Sequence, residues 1–320
     1  MLRPRGTQHP ARIMTMAGLA SFSRLTSSTR HFVTWLNPVD RIVRQNGGMP
    51  ETLGRIGQIE VRLARTTKDI RRCQRLRFKV FYEEMGAKPD ARAFVSRRDI
   101  DSYDRLCDHV MVIDRVGKVN RFGKAKPKVI GTYRLLRGDV AANAGCDFYT
   151  AGEYDLTRFL AANRGQRLLE LGRSCVLEPY RNKRTIELLW HGVWCYILHH
   201  RIDVMFGCAS FEGCDPKALA VPLAFLEHHA AGERGARVRA LPGLYVPMDR
   251  VSAATLDVKT AMKGLPPLIK GYLRLGATFG DGAVVDHQFG TTDVFVSLRV
   301  ADIDQRYISY YGADAGRHAA

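Results

Sequence analysis

Long apolar runs are missing from this sequence. The best candidate, "IELLWHGVWCYIL" at 186–198, is broken by Glu187 and His191 and falls short of the ~18 uninterrupted apolar residues that a membrane-crossing helix needs. A soluble or peripheral protein is expected. Paired cysteines are missing as well: the seven, at 73, 107, 146, 175, 195, 208 and 214, form no C-x-x-C. Cys107, His109, Cys208 and Cys214 therefore lack zinc-ligand spacing, and no metal is expected. Unpaired thiols fit the reducing cytosol, and Cys208 in "MFGCASF" has the surroundings of a small core filler. Acidic residues are scarce at the start. None precedes Asp40, and residues 1–80 hold 16 Lys+Arg against 4 Asp+Glu.

What is present follows from that imbalance. A net charge of +17 over 320 residues favours an anionic partner, whether nucleic acid, a membrane surface or an acidic carrier protein. Zinc-finger spacing, an RNA-recognition signature and a basic stretch interleaved with aromatics are all absent, so no nucleic-acid partner is expected. Residues 1–55 read as a basic disordered tail, rich in Arg, Ser and Thr. Within it, "HFVTWLNPVDRIV" (31–43) has the pattern of a short amphipathic patch for an anionic membrane surface, placing the protein in the cytoplasm, at most peripherally at the inner face of the membrane. Residues 311–320 read as a disordered C-terminus.

Between these, residues 56–310 alternate strand and helix. "QIEVRLAR" has period two, and the next segment puts Ile70, Cys73, Leu76, Val80 and Phe81 on one helical face. "HVMVIDR" (109–115) and "KVIGTYRLL" (128–136) form a hairpin across a Gly- and Lys-bearing loop. "IDVMFGCASF" (202–211) has the apolar content of a strand covered on both faces. Asp215-Pro216 reads as a helix start, and "TTDVFVSLRVADI" (291–303) as a last strand. The order predicts α/β architecture: a central mixed sheet with helices on both faces. The segment 264–290, with six glycines, reads as a mobile flap or acyl-chain wall.

The most informative stretch is "ELGRSCVLEPYRNKRTIELLW" (170–190). A strand turns at Pro179 and feeds a helix from near Thr185, gathering unpaired N–H groups and the positive helix end at residues 181–184. That is an anion site. The stretch resembles the GNAT acyltransferase superfamily, in which a strand is followed by V-x-P-x-x-R and a turn of form [RQ]-x-x-G-x-[GA]; Pro179 and Arg181 fit the frame. The two small positions of that turn carry Arg184 and Ile186, which leave no room for a diphosphate against the backbone. The resemblance implies a GNAT-like acyl-CoA N-acyltransferase fold. The departure points to the acyl-phosphopantetheine of an acyl carrier protein as donor, with no tightly bound cofactor. Arg181, Lys183 and Arg184, with Arg71, Arg72 and Arg75, are the expected carrier contacts. A coenzyme A-dependent N-acetyltransferase is the alternative.

"RFKVFYEEMG", "DIDSYDRLCDHV", "GTYRLLR" and "ELGR" resemble, in order, the R-x-x-x-F, D-x-x-D, RLL and E-x-x-R elements of acyl-homoserine-lactone synthases. On that resemblance Arg77, Phe81, Asp101, Asp104, Arg134, Glu170 and Arg173 line the site. "HRIDVMFGCASF" and "LPPLIKGYLRLGATFGDGAVVDHQFGTTDVFV" extend the likeness to bacterial ornithine N-acyltransferases, over roughly residues 58–304. These enzymes acylate L-ornithine from a 3-hydroxyacyl carrier protein. An amino-acid amine must lose a proton before it attacks a thioester; Glu170 is the expected base. Asp101 and Asp104 are expected to bind the two ammonium groups of ornithine. Arg134 and Arg173 suit a bidentate carboxylate clamp. The N–H of Cys175 or Val176 is expected to face the thioester oxyanion. Asp286 and His287 form an acid/base dipeptide that is more often structural.

Overall fold

The computed structural model describes residues 48–119, 123, 125–304 and 306. Expectations for the tail up to residue 47, including the patch at 31–43, and for residues 311–320 lie outside them. The tail boundary needs one correction. Met49 and Leu53 are buried, because Arg65 donates to the Met49 carbonyl (3.2 Å) and His191 Nε2 bonds the Leu53 carbonyl (3.0 Å). Packed structure therefore begins before residue 56.

A short hairpin, β1 (Gly54–Ile56) and β2 (Ile59–Leu63), leads to α1 (Thr67–Phe78). Thr66 Oγ1 caps α1 by accepting from the Asp69 N–H, satisfying a donor that the first turn leaves open. A single π turn, Lys79–Glu84, extends the helix, and α2 (Ala91–Ser96) follows. Then come β3 (Asp108–Val119), β4 (Ala125–Arg137), α3 (Gly138–Asn143), β5 (Tyr154–Asp155), α4 (Thr157–Ala162) and β6 (Leu168–Val176). The remainder runs α5 (Lys183–His200), β7 (Val204–Glu212), α6 (Ala220–His229), β8 (Arg239–Ala240), α7 (Val258–Gly264), α8 (Pro267–Arg274), β9 (Thr278–Asp286) and β10 (Thr291–Arg299). Among the described residues no helix is long and apolar enough to cross a membrane, and all seven cysteines are free.

The strands form one mixed sheet in the order β1-β2-β3-β4-β6-β7-β10-β9-β8-β5. Neighbouring residues of a strand point to opposite faces, and β3 shows what covers each. His109 meets Arg77 of α1 (Nδ1 to Nη1, 3.5 Å). Val110 lies under Gly192 of α5, where a Cβ would come within 3.1 Å of it. Helices thus cover both faces, as the sequence predicts.

Two irregularities shape the centre of the sheet. β6 and β7 pair in parallel only at Leu168↔Val204, Leu169↔Met205 and Glu170↔Phe206. Beyond that point β6 stays with β4 while β7 stays with β10, so a split opens between them. Gly207 marks its apex: a Cβ there would stand 2.3 Å from the Leu171 carbonyl oxygen. The second irregularity is a bulge. Thr132 faces Cys175 but Arg134 faces Gly172, which leaves one extra residue on β6 and bends that strand away. Arg173 adopts φ 51° there, a left-handed conformation uncommon outside glycine.

Two local expectations fail. Asp215 does not start a helix; its carboxylate accepts from the Lys217 N–H at 2.9 Å in a turn, and α6 begins at Ala220. Of the two readings of residues 264–290 the flap fails, while Leu268 and Phe289 do line the cavity in the split between β6 and β7. The segment forms α8 and β9, which pairs with β10 from Thr291↔Asp286 to Ser297↔Thr278. Glycine there serves close packing, since a Cβ at Gly280 would meet the Val238 carbonyl at 2.8 Å.

Substituting Gly207 by Ala forces a methyl group into the Leu171 backbone, and overpacking of this kind costs about 1–3 kcal/mol. Thermal or urea unfolding should show that loss; an unchanged midpoint would mean that the strands have room at the apex.

Candidate active site

A cavity of about 270 Å³ occupies the split. Tyr133, Ser174 and Leu268 line it from the α5 side, and Arg134, Tyr149, Glu170 and Arg173 from the α1 side. Phe81, Met85 and Phe289 add an apolar wall. Tyr133 is anchored by a 2.6 Å hydrogen bond to Tyr272 of α8.

Glu170 is buried and faces this cavity. Its oxygens accept from the backbone N–H groups of Tyr149 (2.9 Å) and Thr150 (2.7 Å), which open a 3-10 turn, Tyr149–Gly152. Burial raises its pKa against those bonds and the nearby Arg134 charge. An oriented carboxylate whose proton affinity is raised is better suited to accept a proton than an ordinary one.

Arg173 projects from the bulge into the cavity. Its guanidinium lies over the Tyr149 and Phe289 rings at 5.0 and 4.6 Å. Its ion pairs with Asp99 and Asp101 are long, 3.7 and 3.9 Å, and its Nε has no hydrogen-bond partner. Nη2 donates to the Tyr149 hydroxyl at 3.3 Å, which leaves Nη1 as the donor for a ligand.

Arg77, Asp101 and Asp104 are placed otherwise than the D-x-x-D reading expects. Arg77 is fully buried and outside the cavity lining; it donates to Asp99 at 2.6 Å and Asp104 at 2.7 Å. Arg134 borders the cavity but gives Nη1 to Asp101 at 2.5 Å. Asp101 also caps the turn Ser102–Arg105 by accepting from the Tyr103 and Asp104 N–H groups. Burial alone would raise the Asp104 pKa, yet Arg77, His109 and Arg134 hold it well below the usual carboxylate range. Both acids are thus spent on guanidinium groups and do not face an acceptor. Asp99, which the sequence reading passed over, shares their role.

The N–H groups of β6 alternate between its two sides. Leu177 N–H donates to Ile130 of β4 at 2.9 Å, so the Val176 N–H points away from β4, toward the open split. The Val176 carbonyl accepts from Arg181 Nε at 3.0 Å on that side. Cys175 N–H, one residue back, points toward β4, which removes it as an oxyanion donor. The Cys175 thiol is buried, and burial pushes its pKa up.

Past β6, Arg181 pairs with Glu84 of the π turn at 2.6 Å. Asn182 caps α5 by accepting from the Thr185 N–H. Lys183 and Arg184 are exposed in the first turn, which contains no acid. Lys183 pairs with Glu187 one turn on at 3.7 Å; cations oppose the positive end of a helix, so the exposed Arg184 there favours an external anion.

The profile of the acetyltransferase (GNAT) domain family matches residues 76–191, the part that builds the last residues of α1, the β3–β4 hairpin, β6 and the first half of α5. An L-ornithine N(alpha)-acyltransferase of Agrobacterium fabrum is 48% identical over 283 residues, 88% of this chain and 94% of that protein. One of Brucella abortus is 51% identical over 265 residues, 83% of this chain and 92% of that protein. The chain belongs to the L-ornithine N(alpha)-acyltransferase family. It is an acyltransferase with a GNAT domain. Among solved structures, an N-acyl amino acid synthase from uncultured soil microbes aligns with TM-score 0.39 at 13% identity, over 76% of this chain and 91% of that one.

Asp286 and Asp293 line the cavity, and Glu153 stands beside them. Glu153, Asp286 and Asp293 each bring one carboxylate oxygen within 4.8 Å of the others. Only Asp286 was considered from sequence. An aspartate in the otherwise apolar run "TTDVFVSL" is the signal that marks Asp293. Glu153 carries no comparable signal. Burial, then the Asp293 charge, raises its pKa from 4.5 to about 7.

That shift sets a pH dependence. The unfolded chain releases the Glu153 proton near 4.5, whereas the folded protein keeps it until about 7. Its contribution to stability is full below pH 4.5 and is lost as pH rises toward 7. Urea midpoints measured across that window should fall less steeply in Glu153→Gln than in wild type. Parallel curves would place the proton elsewhere.

Proposed function

We propose that this protein transfers a 3-hydroxyacyl chain from the phosphopantetheine arm of an acyl carrier protein to the α-amine of L-ornithine, giving lyso-ornithine lipid. The observation that carries the reading is the split between β6 and β7, which opens on a cavity holding an oriented carboxylate and a ligand-seeking guanidinium. The acceptor is the one named for the relatives. The carrier follows from the exposed cations at the start of α5 and the lack of glycines there.

The pantetheine arm lies in the split, its thioester oxygen toward the Val176 N–H. Arg173 takes the ornithine carboxylate. Glu170 removes a proton from the α-ammonium, directly or through water, and the free amine adds to the thioester carbon. The tetrahedral intermediate collapses with cleavage of the C–S bond; its nitrogen gives up a second proton, which goes to the departing thiolate, leaving the amide, and Glu170 releases the first proton to solvent. Arg134 acts by holding Asp101 and the turn behind the cavity.

The direct test is incubation of the full chain with 3-hydroxyacyl carrier protein and a panel of amino acids, with products read by mass spectrometry. An ornithine amide is expected, and its absence would sink the reading. Equal rates with acyl-coenzyme A would return the donor to the coenzyme A alternative. Glu170→Gln should lower turnover by about 10²-fold or more; wild-type turnover in that variant would remove Glu170 as the base.

Charge reversal at 181, 183 and 184 should weaken carrier binding, and added salt should weaken it in wild type. Salt-independent binding in both proteins would place the carrier elsewhere.

A further inference from the structure

Besides Arg173 and Glu170, the cavity meets a group of acids that has no cation of its own. Asp286 ends β9, Asp293 stands in β10 between β7 and β9, and Glu153 follows the turn that anchors Glu170. Among the described residues none of the three forms a salt bridge. Asp286 Oδ1 accepts from the Gln288 and Phe289 N–H groups at 2.8 and 2.9 Å. Glu153 Oε2 accepts from the Cys208 thiol at 3.4 Å.

Asp293 is different. It is 8% exposed and lines the cavity. The Ser210 and Thr291 hydroxyls stabilise its carboxylate, yet its Oδ1 is buried with no hydrogen-bond partner. A buried carboxylate oxygen left bare is costly, and two further acids beside it deepen the demand for positive charge.

We infer that Glu153, Asp286 and Asp293 hold the side-chain ammonium of the acceptor and set the preference for a diamino acid. The inference rests on the ornithine reading above and adds the residues that read the far end of the molecule. Arg173 is close enough to influence both Glu153 and Asp293 electrostatically. Arg173, Asp286 and Asp293 line the same cavity and Glu153 adjoins the two acids, so an amino acid with its carboxylate at Arg173 has its side chain in the space that these acids border. Binding at both ends presents the α-amine between them. The amine site lies here because Asp101 and Asp104 are already occupied by arginines.

The test compares kcat/KM for ornithine with that for norvaline, which has the same carbon chain without the δ-amine. The ornithine-to-norvaline ratio should fall about tenfold or more in Asp293→Asn, as expected for a lost charge-assisted contact, with most of the change in KM for ornithine. Glu153→Gln, at the half-buried edge of the group, provides the same reading should the first variant fold poorly. A ratio equal to wild type in both variants would overturn the assignment, because a residue serving only folding or chemistry lowers both substrates together. Stoichiometric divalent metal in the purified wild-type protein, lost from Asp293→Asn, would overturn it in favour of a metal site. Wild type that acylates no ornithine defeats the function reading and this one together. Wild type that acylates ornithine, with selectivity surviving both substitutions, defeats only this one.

Discussion

Three guanidinium groups and three carboxylates between α1 and the sheet, four of them buried and Arg173 and Asp101 half-buried, hold the active region in place. Arg77 comes from α1, Arg134 from β4, Arg173 from the β6 bulge, and Asp99, Asp101 and Asp104 from the connection before β3. Charges of this kind are tolerated inside a protein only when matched, since removing one partner of a buried pair typically costs about 3–5 kcal/mol. Here the numbers of each sign are equal. The match is uneven in strength: Arg77 has short bonds to two acids, whereas Arg173 has only distant ones. The most weakly held cation is the one that reaches the cavity, so one network both fixes the scaffold and leaves a donor available.

Much of the fold is legible in the sequence because its strongest signals are local. Period-two runs, the hairpin and the strand-turn-helix at 170–190 each declare themselves within a few residues. The segment 264–290 misleads because glycine has two uses: it loosens a loop, or it admits a close backbone, and only the neighbouring strand shows that Gly280 has the second. The site is less readable for a related reason. D-x-x-D spacing places Asp101 and Asp104 on one turn, but it does not say which charges face them. Glu153, Asp286 and Asp293 come from three separate elements, and no spacing rule brings them together. Asp293 is marked only by its apolar surroundings in β10.

The beginning of α5 carries its own compromise. Lys183 and Arg184 stand where a helix favours acids, and Asn182 supplies the cap that keeps the first turn closed. Arg181 is turned aside to Glu84 and the Val176 carbonyl. The π turn thereby sets the edge of the split as well as contributing Phe81 and Val80 to the core. Lys183 is offset by Glu187 at 3.7 Å, which leaves the exposed Arg184 as the unfavourably placed charge of that turn.

The cavity crosses the sheet instead of resting on one face, with Tyr133 and Ser174 on one side and Glu170 and Arg134 on the other. The cavity-lining thiol of Cys208 is kept protonated by burial and by neighbouring acids, so it makes a poor intermediate stop for the acyl group. Such geometry supports direct hand-over inside a ternary complex. The rate then depends on the concentrations of acyl donor and acceptor at once.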